Sequence, residues 1–357
     1  MDEGWGLLQE PGGTLITGKE VVNLIPEKKK VIYRDGSSEN YDTLLIASGS
    51  KAIKPPIDGL EEVGAHEFKT LSDCRRLLQE LQGRREVAIL GAGMTGLHIG
   101  AALLEGGYQV GIIEKEENIL PQHFNEEAAV YIREIFVDHK ARFFTGKTVK
   151  AAKRKNGKIR ITLSDGTFLD SDILINAAGI TSRVSFLEGS GVRMSSGVLV
   201  DEKMRTNIDD IYAAGDAAEA QDYFTGKPKI NATIPSAARQ GRVAGANIAG
   251  EAVEYEGGIP MVAFNFMGNQ AFSIGLSMVL DDAAGVLKQM DGQKRRFKKL
   301  VFDGDRLIGG MFLNESIDPG IVLYLIRERV DLTPYKEALF EGTKPLSDPW
   351  LGSLKFY

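Results

Sequence analysis

The chain has 357 residues, 43% hydrophobic and 26% charged, an ordinary balance for two or three folded domains. A net charge of −6 argues against nucleic acid as the main partner, and a single cysteine excludes an internal disulfide or a dithiol pair. The apolar stretch from Ile321 to Ile326 falls far short of the roughly 18 residues a membrane span needs, and the N-terminus has neither the basic region nor the apolar core of a signal peptide. A cytoplasmic protein is expected.

Taken in chain order, the first elements are halves of a repeat. Thr17-Gly18-Lys19, Asp35-Gly36, Asp42 and the run Leu44-Leu45-Ile46-Ala47-Ser48-Gly49 recur as Thr145-Gly146-Lys147, Asp165-Gly166, Asp172 and Leu174-Ile175-Asn176-Ala177-Ala178-Gly179. The offset stays at 128 to 130 residues throughout. Each copy reads as strands joined at an Asp-Gly turn and closed by an apolar strand that ends in glycine. Between the copies, Thr70 to Leu77 reads as a capped helix start with Cys74 in its first turns, a bland place for a thiol.

The second copy has a prelude. Val87-Ala88-Ile89-Leu90 is a buried strand, followed at once by Gly91-Ala92-Gly93-Met94-Thr95-Gly96. A helix of small residues then runs from about Met94 to Glu105, where Gly106-Gly107 stops it, and Val110 to Ile113 is the next strand, ending at Glu114. This is a complete βαβ unit of dinucleotide-binding type. Gly91 serves the tight turn, Gly93 the approach of a pyrophosphate, and Gly96 the close packing of helix on strand. The helix N-terminus offers unsatisfied N–H groups to phosphate. Glu114 can accept from the adenosine ribose hydroxyls and would repel a 2′-phosphate, so NAD(H) is expected over NADP, with Lys115 softening the preference. The first copy lacks this prelude. By its spacing, roughly forty residues of a comparable unit would fall upstream of Met1.

Further on, Thr206 to Ala217 is a strand running into Gly215-Asp216, where glycine admits a ligand near the backbone and the carboxylate can bond a polyol; a capped strand end is the alternative. From about Gly257 the pattern changes to alternating strands around Phe264, Phe272 and Val301, with a turn at Asp303-Gly304-Asp305. Helices follow near Pro319 and after Pro334. Lys294 to Lys299 is a basic cluster, read first as a solvated hairpin and second as a docking patch for an acidic carrier. The four histidines show no metal spacing, so no metal site is expected.

Together these motifs resemble the pyridine nucleotide–disulfide oxidoreductases, two-dinucleotide-binding flavoproteins of the NADH oxidase and rubredoxin reductase type. The resemblance covers about Thr14 to Gly250. It implies an α/β fold with Rossmann-like FAD and NAD(P) domains and a small C-terminal α+β domain. The implied segments are an incomplete FAD-type part over residues 1–65, an NAD domain over 66–181, a second FAD-type part over 182–256 and a dimerisation-like domain over 257–357. It implies cofactor contacts at Ala47, Ser48, Gly49, Ala178 and Gly179, at Gly215 with Asp216 on the flavin ribityl chain, and at Ser236 and Ala237 of a helix whose N-terminus faces the flavin. Lys54 to Leu60 resembles the apolar segment after the family's crossover.

The chain departs from the family in three ways. The glycine fingerprint for the FAD pyrophosphate is missing, the region of the redox cysteine goes with it, and His98 stands where a glutamate near the nicotinamide is usual. His98 is read here as a core histidine. The implied function is electron transfer from NADH through flavin to an acceptor: an electron-carrier protein, an iron–sulfur partner subunit or oxygen, with no catalytic side chain named. FAD is expected of the family, but only weak FAD binding is expected of this chain. A homodimer is expected through the segment after Gly257, whose strands offer an apolar face to spare. The rival reading is a non-catalytic NAD-binding module or truncated protein unable to hold flavin.

Overall fold

Four consecutive buried apolar residues, Val87 to Leu90, leave no polar face for a strand to show to water, so the strand has to lie inside a sheet covered on both sides. In the computed structural model, which describes residues 13–281 and 285–341, the strand Glu86–Leu90 is central. The parallel sheet runs His66–Glu67, Ile173–Asn176, Glu86–Leu90, Gln109–Ile113, Arg142–Phe144. Helices Leu71–Glu80, Met94–Glu105 and Glu126–Asp138 connect its strands, so the α/β expectation is borne out. The glycine-loop helix begins and ends where its sequence signals place it, with Gly107 left-handed at φ 78°.

The described residues divide into two units. One holds residues up to Ser50 together with Ser182–Gly258; the other holds Lys51–Thr181 and residues from Ile259.

In the larger unit, a second sheet has the antiparallel order Met261–Phe266, Asn269–Gly275, Arg306–Leu313, Arg296–Asp303, Val286–Asp291. Phe264, Phe266, Phe297, Met311 and Leu313 from this sheet join Ile89, Leu97 and Phe136 in one core. Phe266 stacks on Phe136 at 5.5 Å, and Glu105 accepts from the Met267 N–H at 3.0 Å. The helix Pro319–Arg327 brings buried Val322, Leu325 and Ile326 to the same antiparallel sheet. Part of the apolar surface of this sheet is thus covered by the chain's own helix.

The basic cluster is likewise taken up internally. Lys298 and Lys299 are 5% and 1% exposed, so the solvated-hairpin reading is corrected for both. Lys299 bonds Asp281 at 2.7 Å, the Lys298 amine meets the Phe340 carbonyl, Arg295 pairs with Asp138, and Arg296 pairs with Glu315.

The repeat is visible down to single bonds. Strands Val21–Ile25, Lys30–Tyr33 and Ser38–Asn40 form one meander, and Val149–Lys155, Lys158–Leu163 and Phe168–Ser171 form the other. Both carry a register shift at the same place, Val21/Asn23 and Val149/Ala151. Lys19 pairs with Asp35 as Lys147 pairs with Asp165, and these lysines, with Ser37 and Thr167, hold both carboxyls well below the usual carboxylate range. The copies then diverge. Asp172 accepts from the N–H groups of Arg85 and Glu86, both at 2.9 Å, and so clamps the start of the central strand. Asp42, its counterpart, is exposed. In the smaller unit, the strand Leu44–Ile46 pairs with Ile211–Ala213 in a two-stranded parallel sheet, and no glycine-loop strand joins it among the described residues.

Candidate functional site

The three glycines of the loop do different work. A Cβ at Gly96 would come within 2.0 Å of the Gly91 carbonyl oxygen, so helix and strand touch only because that side chain is absent. A Cβ at Gly91 would lie 2.4 Å from the Ala177 carbonyl oxygen, and its φ of 106° suits glycine alone. Gly93 is unlike both. Its backbone is extended, at φ −77° and ψ −176°, and a Cβ there would meet nothing within 4 Å. Neither conformation nor packing in this chain requires a glycine at 93.

Helices starting at Leu71, Glu126, Ile234 and Pro319 are capped by the side chains of Thr70, Asn125, Thr233 and Asp318. The helix Met94–Glu105 has no side-chain cap and no acid in its first turn. Its first backbone bond runs from the Leu97 N–H to the Gly93 carbonyl, and among the described residues the N–H groups of Met94, Thr95 and Gly96 have no acceptor. An uncapped helix N-terminus favours an anion through both its donors and its dipole.

Gly93, the residue that precedes the helix, lines a cavity of about 790 Å³, whereas Met94, Thr95 and Gly96 lie outside its lining. Gly91, Glu114, Lys115, Ala178 and Gly179 also line it, and all belong to the larger unit. Glu114 is 7% exposed; its Oε2 accepts from the Ala92 N–H at 2.7 Å and its Oε1 from the Glu116 N–H at 3.1 Å. These bonds lock the carboxylate against the loop, and a carboxylate accepts up to about four. Lys115 is mostly exposed and lies 3.5 Å from the carboxylate of Glu116. Gly179, at φ 121°, accepts from the Ile53 N–H at 3.0 Å.

Three wall segments were not foreseen as site residues: Pro55 to Ile57, Leu120 to His123, and Lys147 to Val149. The first carries a Pro-Pro pair after the first copy's closing glycine, the one signal that could have marked it. Leu120 is held at φ 51° with its side chain fully buried. His98 is corrected. It is exposed rather than core, lies outside the cavity lining, and sets its ring edge-on to Phe264 at 5.3 Å. Partial burial draws its pKa down against the opposing effect of its bond to the Met94 backbone. Cys74 is part-buried in the helix capped by Thr70 and Asp73.

The remaining expected residues lie in the smaller unit. Ser48 donates to the Arg183 carbonyl at 2.7 Å, and Gly49, left-handed at φ 70°, accepts from the Arg183 N–H at 2.9 Å. Ala47 precedes them, just after the strand Leu44–Ile46. Gly215 is left-handed at φ 73° and donates to the Gln240 Oε1 at 2.7 Å. Asp216 accepts from the Ser50 hydroxyl at 2.6 Å. Ser236 is buried, its N–H capped by Thr233 and its hydroxyl 3.1 Å from that of Tyr255, while the Ala237 N–H bonds the Thr233 carbonyl. The groups of Ser236 and Ala237 are thus spent inside the unit. Among the described residues no group of three His, Cys, Asp or Glu side chains is arranged to hold a metal, and no helix is long and apolar enough to cross a membrane.

The family model for pyridine nucleotide-disulphide oxidoreductases matches residues 9–241. The chain belongs to that family. It is 35% identical to the NADH-dependent phenylglyoxylate dehydrogenase subunit epsilon of Aromatoleum evansii, over 88% of this chain and 76% of that subunit. It is 26% identical to the assimilatory nitrate reductase electron transfer subunit of Bacillus subtilis, over 92% of this chain but only 42% of that protein. The fold is that of the reductase in the covalent putidaredoxin reductase–putidaredoxin complex, with a TM-score of 0.84 at 20% identity, covering 94% of this chain and 81% of that one. Family membership makes the protein an oxidoreductase of the pyridine-nucleotide class.

Proposed function

We propose that this chain takes electrons from NADH, through flavin, for an acceptor carried by a partner protein. The observation that carries the reading is the uncapped helix N-terminus beside Gly93, which lines the same cavity as Glu114. The residues fit a dinucleotide. The N–H groups of Met94, Thr95 and Gly96 would hold the pyrophosphate, Gly93 would admit it, Glu114 would take the adenosine ribose, and Ala178 with Gly179 would border the far wall. NADH held there would supply a hydride. The chain contributes binding, orientation and the exclusion of a 2′-phosphate by the locked carboxylate of Glu114.

Flavin fits in part. Asp216, beside left-handed Gly215, would hold a ribityl chain, and the flavin would supply a change from hydride to single-electron chemistry. Among the described residues, however, only the loop Gly91–Gly96 is built for a pyrophosphate. That observation also favours the second reading, an NAD-binding module without flavin of its own. The names of the Aromatoleum and Bacillus relatives, both subunits, support a protein partner as acceptor. The cytoplasm is the compartment where such a partner and NADH meet.

The test is NADH oxidation at 340 nm by the purified chain with added FAD and an artificial one-electron acceptor. Turnover that needs both additions and disappears in Gly93→Val supports the proposal. Tight NADH binding with no turnover at saturating FAD would favour the module.

A further inference from the structure

Three buried polar groups from three separate segments converge on the dipeptide Gly215-Asp216. Ser50 donates its hydroxyl to the Asp216 Oδ2 at 2.6 Å, and Ser182 donates its hydroxyl to the Asp216 backbone carbonyl at 2.5 Å. Gln240 accepts the Gly215 N–H at 2.7 Å. Ser50, Ser182 and Gln240 are 6%, 7% and 1% exposed. Ser50 and Ser182 are the residues at which the chain leaves and re-enters the smaller unit, and the adjacent Gly49 and Arg183 bond each other at 2.9 Å.

A strand end needs no such investment. Its backbone can be satisfied by the neighbouring strand or by water, whereas a buried hydroxyl carries a desolvation cost unless it is bonded. Here two buried hydroxyls are spent on one aspartate, one on its carboxylate and one on its main chain. The first sets the plane of a carboxylate that accepts up to about four bonds, and the second sets the backbone from which it projects. Gln240 fixes the preceding peptide in its left-handed turn. A carboxylate held this way loses little freedom when it takes a further hydroxyl, which is the physical basis of preorganised recognition.

We propose that Ser50 and Ser182 are positioning residues that aim the Asp216 carboxylate at the hydroxylated chain of a flavin. The proposal rests on the reading of Asp216 as a ribityl ligand.

Riboflavin is the probe, because it carries the ribityl chain without phosphate or adenylate and so reads this contact apart from any pyrophosphate site. Fluorescence quenching gives its Kd for the parent and for Asp216→Asn, Ser50→Ala, Ser182→Ala and Ser50→Thr. Each alanine variant is expected to weaken riboflavin about fivefold to tenfold, a fraction of one charge-assisted bond, and Asp216→Asn at least as much. Ser50→Thr, which keeps the hydroxyl, should return towards the parent. NADH affinity, which belongs to the other unit, should be unchanged in all four, a result that general unfolding would not give. If Asp216→Asn weakens riboflavin while both alanine variants match the parent, the positioning role is overturned and the ligand reading stands. If Asp216→Asn matches the parent, or the parent shows no saturable riboflavin binding, the ligand reading fails and takes the proposal with it.

Discussion

Replacing Gly93 with valine separates the binding role of the loop from its structural role. The backbone at 93 is extended, which valine adopts readily, and the new side chain would project into open space. The cost to the fold should stay at about 1 kcal/mol, the difference between glycine and an apolar residue at an N-cap. The cost to NADH is larger. Three added carbons would stand between the pyrophosphate and the N–H groups of Met94, Thr95 and Gly96. Losing two charge-assisted bonds of roughly 1.5–3 kcal/mol each weakens binding by about two to four powers of ten. Calorimetry gives the affinity and thermal unfolding gives the stability. A Gly93→Val protein that binds NADH within threefold of the parent would refute the site. One that unfolds as readily as a Gly96→Ala protein would refute the claim that the space at 93 is open.

Gly96→Ala itself should lower stability by about 1–3 kcal/mol or more through overpacking against the Gly91 carbonyl, seen as a lower Tm with no ligand present. Glu114→Ser should raise NADPH affinity relative to NADH, measured as a ratio of Kd values; an unchanged ratio would remove Glu114 from cofactor choice. Asp172→Ala should cost about 1–3 kcal/mol at pH 7, because two strand-end N–H groups lose their acceptor. Burial pushes the Asp172 pKa up, but its bonds from Arg85 and Glu86 outweigh that and leave it lowered. Its contribution is therefore complete above the usual carboxylate pKa and is lost as pH falls through the lowered value, so the two proteins should converge in acid, as urea unfolding at several pH values would show.

The parts of the structure legible in the sequence are those whose determinants are local. The strand Glu86–Leu90, the loop and the helix Met94–Glu105 follow from an apolar run, glycine spacing and a double-glycine stop. The repeat was legible because it preserves partners as well as patterns, as Lys19 with Asp35 and Lys147 with Asp165 show. What stayed hidden depends on contacts distant in the chain. The strand Val286–Asp291 has a weak alternation and gains its place by pairing with Arg296–Asp303. Lys298 and Lys299 look like surface charge until Phe340 and Asp281 are seen to receive them. The cavity walls at Pro55 to Ile57 and Leu120 to His123 are brought to the glycine loop only by the fold. His98 sits in a helix of small apolar residues, which reads as core, yet it faces outward.

The central claim is that the first turn of the helix Met94–Glu105 is the anion seat of an NADH site. Amide hydrogen exchange with and without NADH tests it directly. The N–H groups of Met94, Thr95 and Gly96, which have no acceptor among the described residues, should exchange faster in the free protein and become protected at saturating NADH, while Leu44–Ile46 and Ile211–Ala213 stay unchanged. Protection confined to another segment, or none over 94–96 at saturation, would contradict the account.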